Sequence, residues 1–153
     1  MAESLRGIFP ILATCFHPNG EIDYDSQKRL ITFCIESGVH GLVALANASE
    51  GHLLSEDEKR TLLSFILKET RDTIPIIATV NHPSDFVVCQ LAGFAQGEGA
   101  AAVMVLPPFF GRWRAGLGEI SSFLASLNRS IHVPIILQDH VLSDIALSVD
   151  FTA

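Results

Sequence analysis

Short apolar runs recur along this chain at intervals of about thirty residues, and a helical pattern fills each gap between them. The runs are apolar throughout rather than alternating, which is typical of strands in a parallel sheet that is buried on both faces. We therefore predict strands at residues 7–14, 41–45, 76–80, 100–106 and 133–137. The hydrophobic content of 48% agrees with such a sheet, or with a piece of protein whose natural partner surface is missing. This repeated βα unit is the feature that most restricts the possible folds.

Local helix signals occupy the gaps between these runs. Asp23 is a suitable N-cap for the first helix, and Gly38 is placed to end it. Ser55 and Glu58 have the spacing of a capping box at the start of the second helix. Pro83 fits the first position of the third helix. The remaining helical patterns lie at residues 116–128 and 148–153.

Parallel strands with right-handed crossovers form either a doubly wound open sheet or a (β/α)8 barrel. No Gly-x-Gly-x-x-Gly follows the first strand, where a nucleotide-binding open sheet usually carries it. Each strand instead ends in a polar or stiff residue, namely Thr14, Asn47, Thr79, Pro107 and Gln138. Strand ends that meet at one rim favour the barrel. Since a barrel takes about 250 residues, we expect residues 1–153 to be the N-terminal portion of one TIM-barrel domain, with about the first five βα units.

Charge and composition exclude several functional classes. The net charge of −7 argues against a nucleic-acid partner. No apolar run reaches membrane-spanning length, and the first residues do not resemble a signal peptide, so we expect a cytoplasmic protein with no membrane partner. Three cysteines are an odd number, and the six histidines lack ligand spacing, so we expect neither a disulfide framework nor a metal site.

Residues 42–54 contain the most distinctive polar chemistry of the chain. The apolar run breaks into Asn47, Ser49 and Glu50, and a helix restarts at Ser55. Backbone N–H groups in such a loop, close to a helix N-terminus, are suited to holding an anion. Asn and Ser also favour loops for local reasons, so simple turn formation is the alternative. Glu50 is equally suited to fastening the loop or to contacting a ligand.

Polar residues at the other strand ends carry weaker signals. Gln138 follows the last strand, where an amide needs a hydrogen-bond partner, and we favour a functional role for it. Asp139 either orients a loop or acts as an acid behind Gln138. Thr14 and Thr79 are residues that favour strands, and we expect structural roles for both.

Four stretches in order, residues 7–11, 46–50, 105–109 and 133–139, resemble the dihydrodipicolinate synthase / N-acetylneuraminate lyase family of Schiff-base barrels. Within that family the pattern is most similar to the 2-keto-3-deoxy-L-arabinonate dehydratases. The resemblance implies a TIM-barrel lyase that acts on a small-molecule α-keto acid and needs no metal or organic cofactor. It also implies a homo-oligomer, commonly a tetramer.

The resemblance also implies roles for particular residues. Where the family commonly has Gly-Thr-Thr-Gly-Glu, a loop that binds the substrate carboxylate, this chain has Ala46 to Glu50, so Asn47, Ala48 and Ser49 would bind substrate. The family often has a proton-relaying tyrosine after the fifth strand. Gln138 and Asp139 stand there instead and would take the catalytic role. This replacement favours a dehydratase over a synthase or aldolase of the same family, which remains the alternative.

The Schiff-base lysine of the family lies on the sixth strand, which we expect beyond Ala153. Lys28, Lys59 and Lys68 all fall on predicted helices, where we expect them on solvated faces. A catalytically inactive, truncated barrel is therefore a further alternative.

Overall fold

The computed structural model of the chain describes residues 5–71, 73–110, 112–141, 143, 145, 147 and 148. Its helices are α1 (Tyr24–Glu36), α2 (Glu56–Thr70), α3 (Asp85–Glu98) and α4 (Leu117–Ser130). Its strands are β1 (Leu42–Ala44), β2 (Ile76–Thr79), β3 (Ala102–Val105), β4 (Phe109–Phe110), β5 (Trp113–Arg114) and β6 (Ile135–Leu137).

Four of these strands form one sheet in the order β1-β2-β3-β6, and every neighbouring pair is parallel. Pairs in register are Leu42 with Ile76, Ile77 with Ala102, and Val103 with Ile135. A helix connects each strand to the next strand of the sheet, as the thirty-residue repeat predicts. The prediction of a parallel βα sheet is confirmed, with each strand one to three residues shorter than its apolar run.

The first predicted strand differs most from the structure. Residues 8–14, here called the leading segment, run beside β1 but make only one bridge, between Ile11 and Val43. The N–H of Leu12 donates to the Val43 carbonyl at 2.9 Å, and the N–H of Val43 donates to the Pro10 carbonyl at 2.9 Å. Pro10 has no N–H to extend this ladder. Ile11 is 40% exposed, so the prediction of a buried strand is wrong for this edge.

The predicted helix ends are largely confirmed. The Asp23 carboxylate accepts a hydrogen bond from the Ser26 N–H at 2.9 Å, as an N-cap does. Gly38 has a φ of 78° just past the end of α1 and supplies the left-handed residue that closes it. Ser55 and Glu58 form the capping box of α2.

Two local predictions need correction. The third helix begins at Asp85 with Ser84 as its N-cap, so Pro83 precedes the helix instead of opening it. The residues after β3 form a hairpin of β4 and β5, in which Phe109 pairs with Arg114. Of the fifth helix predicted at residues 148–153, only Ser148 lies among the described residues.

The two faces of the sheet are buried against different surroundings. On the helix face, Leu42, Ile76 and Val103 belong to a cluster that includes residues of all four helices. On the opposite face, here called the inner face, the buried cluster is Val43, Ala46, Ile77, Ala102 and Met104. Adjacent residues such as Ile76 and Ile77 fall on opposite faces because side chains alternate along a strand.

Candidate functional site

The loop that follows β1, residues 45–51, is here called the β1 loop. A single 3₁₀ turn, Asn47–Ser49, lies between two residues in the left-handed region, Leu45 with a φ of 60° and Glu50 with a φ of 55°. This conformation is costly for residues other than glycine and is enriched at ligand-binding segments. The backbone at this strand end is therefore held in a strained shape.

Gly51 closes the β1 loop. Its N–H donates to the Ala46 carbonyl at 3.2 Å. A Cβ at this position would clash with the Leu45 carbonyl oxygen, so a larger residue would force the loop open. Gly51 therefore allows the two ends of the loop to lie against each other.

Two long-range hydrogen bonds fasten the β1 loop to the leading segment. The Ser49 hydroxyl donates to the Leu12 carbonyl at 2.6 Å, and the Thr14 hydroxyl donates to the Ser49 carbonyl at 2.6 Å. Ser49 is only 1% exposed. The Ser49 hydroxyl proton is already donated to the backbone, so this hydroxyl cannot also donate to a substrate carboxylate. Donors to a carboxylate must come from other groups of the loop. Thr14 has the structural role that the sequence predicts.

The donors left in the β1 loop are at the start of its turn. The Ser49 N–H donates to the Ala46 carbonyl, and the Glu50 N–H donates to the Asn47 carbonyl. The first two residues of a turn have no carbonyl within the turn to donate to, which leaves the N–H groups of Asn47 and Ala48. The Asn47 side chain adds its Nδ2, which is buried and has no hydrogen-bond partner.

The N-terminus of α2 does not contribute to an anion site in the way the sequence suggests. The Ser55 N–H donates to the Glu58 carboxylate at 2.8 Å, and the Glu58 N–H donates to the Ser55 hydroxyl at 3.3 Å. The Ser55 hydroxyl and backbone lower the pKa of Glu58, so its charge stays at this helix end. Glu56 and Asp57 add further negative charge. The helix dipole is therefore already compensated by the chain's own acids.

Gln138 follows β6, and its N–H donates to the Val105 carbonyl at 2.8 Å, which continues the sheet by one residue. The Gln138 side chain is half-buried, and Asp139 is exposed. The β1 loop and Gln138 lie at the same edge of the sheet but on its first and last strands. At about 4.8 Å per strand they are roughly 14 Å apart along the sheet. The structure places the predicted catalytic and substrate-binding residues on one rim without bringing them into contact.

Sequence reasoning misjudged Lys59, near the β1 loop, and its expectation for Thr79 stays a prediction. Lys59 was expected on a solvated face, but its side chain is 17% exposed and its Nζ lies 2.7 Å from the Glu56 carboxylate. Thr79, expected to be structural, is 5% exposed, and its Oγ1 is buried without a hydrogen-bond partner. Both surroundings depend on residues that are distant in the chain, and no local pattern in the sequence indicates that packing.

Within the described ranges, the remaining cysteine, histidine and acidic residues form no second candidate for a nucleophilic or metal site. Burial raises the pKa of Cys15 and Cys34, which makes both poor nucleophiles. No three His, Cys, Asp or Glu residues come together there in a geometry that could hold a metal ion. The same residues contain no helix that is both long and apolar enough to cross a membrane.

Comparison with known proteins adds the following findings. Residues 4–139 match the model of the dihydrodipicolinate synthetase family. The chain is 40% identical over 149 residues to an L-2-keto-3-deoxyarabonate dehydratase of Azospirillum brasilense, covering 97% of the chain and 48% of that protein. It is 33% identical over 132 residues to a 4-hydroxy-tetrahydrodipicolinate synthase of Nitrobacter hamburgensis, covering 86% of the chain and 44% of that protein.

Solved structures of similar proteins share the fold of this chain. A Pseudomonas aeruginosa protein described as a candidate dihydrodipicolinate synthetase has a TM-score of 0.92 and 31% identity, over 97% of this chain and 51% of that one. CdNal of Clostridium difficile, solved with mannosamine, has a TM-score of 0.92 at 24% identity, over 97% and 51%, which shows a shared fold. The chain spans about half the length of these relatives. The prediction of an incomplete (β/α)8 barrel, rather than a doubly wound open sheet, is confirmed.

Proposed function

Because this chain belongs to the dihydrodipicolinate synthetase family, we propose that it is the N-terminal portion of a single-domain TIM-barrel lyase that forms a Schiff base with a 2-keto-3-deoxy sugar acid. The reaction we favour is dehydration, since the Azospirillum brasilense relative is an L-2-keto-3-deoxyarabonate dehydratase and matches 97% of the chain. The observation that carries the proposal is the β1 loop, a strained segment at the carboxyl edge of the sheet with free N–H donors.

The β1 loop would bind the substrate carboxylate. Its donors are the N–H groups of Asn47 and Ala48, and Ala48 is exposed at the rim, where a ligand has access. Ser49 would act by holding the loop, since its hydroxyl donates to the leading segment. Several N–H donors aimed at one carboxylate give the charge-assisted hydrogen bonds that fix a keto acid in one orientation.

Gln138 and Asp139 would act at the opposite end of the rim. With the carboxylate at the β1 loop, the far end of a five-carbon chain points across the mouth of the barrel toward β6. The Gln138 amide both donates and accepts, so it can orient a hydroxyl of the sugar acid or a water. Asp139 is exposed and can exchange protons with solvent near that hydroxyl. These roles replace the proton relay of a tyrosine.

The chemistry needs an amine that attacks the C2 ketone and releases water to form an imine. Protonation of the imine makes the C3 protons acidic; loss of one gives an enamine, which expels the C4 hydroxyl as water. Lys28 and Lys68 are exposed on helices, and Lys59 is paired with Glu56. We therefore place the reactive lysine on a sixth strand of the complete barrel, outside residues 1–153.

A synthase or aldolase of the same family is the second candidate. The 33% identity to the Nitrobacter hamburgensis synthase supports it. The two activities share the imine and differ in the next step, loss of water from C4 or formation or cleavage of a carbon–carbon bond. A chain without the lysine is the third candidate and would be catalytically inactive.

Borohydride trapping tests the proposal. The chain, and a version extended through a sixth strand, are incubated with 2-keto-3-deoxy-L-arabinonate or pyruvate plus borohydride, and intact masses are measured. We expect a stoichiometric mass gain in the extended chain only. A gain in the 153-residue chain would place the nucleophile among Lys28, Lys59 and Lys68 and overturn our placement of the lysine.

A matched pair of variants tests the rim residues in the extended chain. We expect Gln138→Leu to lower kcat for dehydration by about a hundredfold, because it removes a polar group from the reacting end. Gln90→Leu, at an exposed position on α3, should leave kcat unchanged. Equal activity of the two variants would remove Gln138 from the proposed mechanism.

We also propose a cytoplasmic homotetramer. Phe110 is 72% exposed at the hairpin of β4 and β5, and an aromatic side chain in that position suits a subunit contact. Light scattering of the extended chain should give four times the chain mass, with Phe110→Ser shifting it toward smaller species. A monomer of the unaltered chain would contradict this assignment.

A further inference from the structure

Thr14 lies where the leading segment meets the β1 loop, and α1 fixes its backbone there. The Gln27 side chain of α1 is fully buried and bonds the backbone on both sides of Thr14. Its Nε2 donates to the Ala13 carbonyl at 3.1 Å, and its Oε1 accepts from the Cys15 N–H at 3.0 Å. Because the residues before and after it are held in this way, Thr14 presents its hydroxyl from a fixed backbone.

Ser49 of the β1 loop accepts that hydroxyl, and each of its own polar groups is bonded. The Ser49 carbonyl accepts from the Thr14 hydroxyl at 2.6 Å. The Ser49 hydroxyl donates to the Leu12 carbonyl at 2.6 Å, and its N–H donates to the Ala46 carbonyl at 3.0 Å. Two of these three hydrogen bonds cross to the leading segment, so that segment sets the position of Ser49 together with the turn itself.

The β1 loop needs such support because its backbone is strained on both sides of the turn. Leu45 and Glu50 have φ values of 60° and 55°, and neither is glycine. Backbone of this kind is unfavourable and persists only where the surrounding structure holds it. The same turn carries the N–H groups of Asn47 and Ala48, the donors that we assign to the substrate carboxylate. If the support were lost, the strained backbone would relax and these donors would change direction.

We propose that Thr14 is a positioning residue for the substrate: its hydroxyl, on a backbone held by Gln27, fixes the direction of the N–H groups that bind the carboxylate. Thr14 does not touch the keto acid and takes no part in forming the imine, so it acts on affinity and not on the chemical step. The inference rests on the proposed carboxylate site in the β1 loop and adds to it a residue from another segment. It also gives the fully buried Gln27 amide a role in substrate binding.

A pyruvate titration of the nitrogen-15-labelled 153-residue chain is the first test. We place the reactive lysine outside this chain, so shifts of the Ala48 amide signal report carboxylate binding without imine formation. We expect Thr14→Val, which keeps the branched shape and removes the hydroxyl, to weaken binding about tenfold. Thr14→Ser keeps the hydroxyl and should retain the affinity of the unaltered chain.

The outcomes of this titration separate the inference from the proposed function. Equal affinity of Thr14→Val and the unaltered chain would overturn the inference and leave the carboxylate site in place. If Thr14→Ser binds as weakly as Thr14→Val, the hydroxyl is not the determining group and the inference is wrong. No shift at Ala48 in the unaltered chain would remove the carboxylate site and the inference with it, while borohydride trapping still decides whether the extended chain is a Schiff-base lyase.

Thr70→Val is the control for a loss of stability alone. Thr70 is 1% exposed, and its hydroxyl donates to the Ile66 carbonyl at 2.8 Å. It ends α2, at the opposite edge of the sheet from the β1 loop. We expect Thr70→Val to lower the Tm and to leave the affinity for pyruvate unchanged. If it weakens binding as much as Thr14→Val does, the effect is one of general stability and Thr14 is not a positioning residue.

Borohydride trapping in the extended chain separates affinity from rate. We expect Thr14→Val to raise the pyruvate concentration for half-maximal trapping about tenfold and to keep the maximal rate within about twofold of the unaltered value. A lower maximal rate at an unchanged half-maximal concentration would place Thr14 in the chemical step and overturn the assignment.

Discussion

The helix face and the inner face of the sheet differ in how completely they are packed. The buried cluster on the helix face has 23 described residues, and the one on the inner face has five. Both faces are apolar, as parallel strands require. The helix face packs against α1 to α4, all of which belong to this chain, whereas Phe9 and Ile136 at the inner face are only partly buried.

This difference separates stability from function within one sheet. Side chains on the helix face hold the βα units together and tolerate little change in volume. Side chains on the inner face border the region where a barrel encloses its interior, with the polar rim above it. Adjacent residues of one strand therefore differ in role: one contributes to stability on the helix face, and the next borders the interior of the barrel. Substitutions along β2 compare their contributions to the free energy of unfolding.

The largest expected effect is at Ile76, which is 2% exposed on the helix face. We expect Ile76→Ala to reduce the free energy of unfolding by about 3–4 kcal/mol, because the surrounding helices cannot close the cavity that it leaves. Urea unfolding followed by circular dichroism measures this loss. A loss below about 1 kcal/mol would mean that the helix face is loosely packed.

Ile77 is the matched position on the inner face, 6% exposed. We expect Ile77→Ala to cost about 2 kcal/mol, at the low end for this substitution, because its cluster is small and its neighbours can shift. The same urea experiment compares the two variants directly. If Ile77→Ala costs as much as Ile76→Ala, the contrast between the faces is wrong.

Gln27 tests a polar contact on the helix side. It is fully buried; its Oε1 accepts from the Cys15 N–H at 3.0 Å and its Nε2 donates to the Ala13 carbonyl at 3.1 Å. We expect Gln27→Leu to cost about 1.5 kcal/mol, because it leaves two backbone groups unpaired. Faster hydrogen exchange at the Cys15 amide would locate the loss, and exposed Gln90→Leu provides the control.

The smallest expected effect is a pH dependence at the start of α2. The folded chain holds the pKa of Glu58 below its ordinary range through the Ser55 hydroxyl and backbone. The capping contribution is therefore complete above the ordinary glutamate pKa and is lost as the pH falls through the lower, folded value. We expect Glu58→Gln to flatten that part of the curve of Tm against pH. An unchanged curve would exclude this carboxylate as a source of acid sensitivity.

Sequence reasoning succeeded where the determining contact is local. Asp23, Gly38 and Ser55 act on residues at most four positions away, so their roles follow from spacing alone. The order of the strands also follows, because each helix returns the chain to the next parallel strand. The polar strand ends favoured the closed barrel over the open sheet that periodicity left possible, and the family resemblance implied the same fold.

The contacts around the rim could not be predicted in the same way. The partner of the Ser49 hydroxyl is Leu12, which is 37 residues earlier, so nothing near Ser49 indicates that its proton is already donated. The surroundings of the unpaired Thr79 hydroxyl depend on the neighbouring strand, where Thr79 pairs with Met104, 25 residues later. In the leading segment, a run that reads as a buried strand lies at the edge of the sheet, where alternate side chains are exposed.

The two hydrogen bonds between the β1 loop and the leading segment also bear on the order of synthesis. They join residues that are 35 and 37 positions apart, and in both bonds the partner in the leading segment is made before the loop. A ribosome delivers the leading segment, α1 and β1 before it delivers the loop, so the acceptor at Leu12 already exists when Ser49 emerges. The strained turn can then be fastened while the chain from β2 onward is still being made.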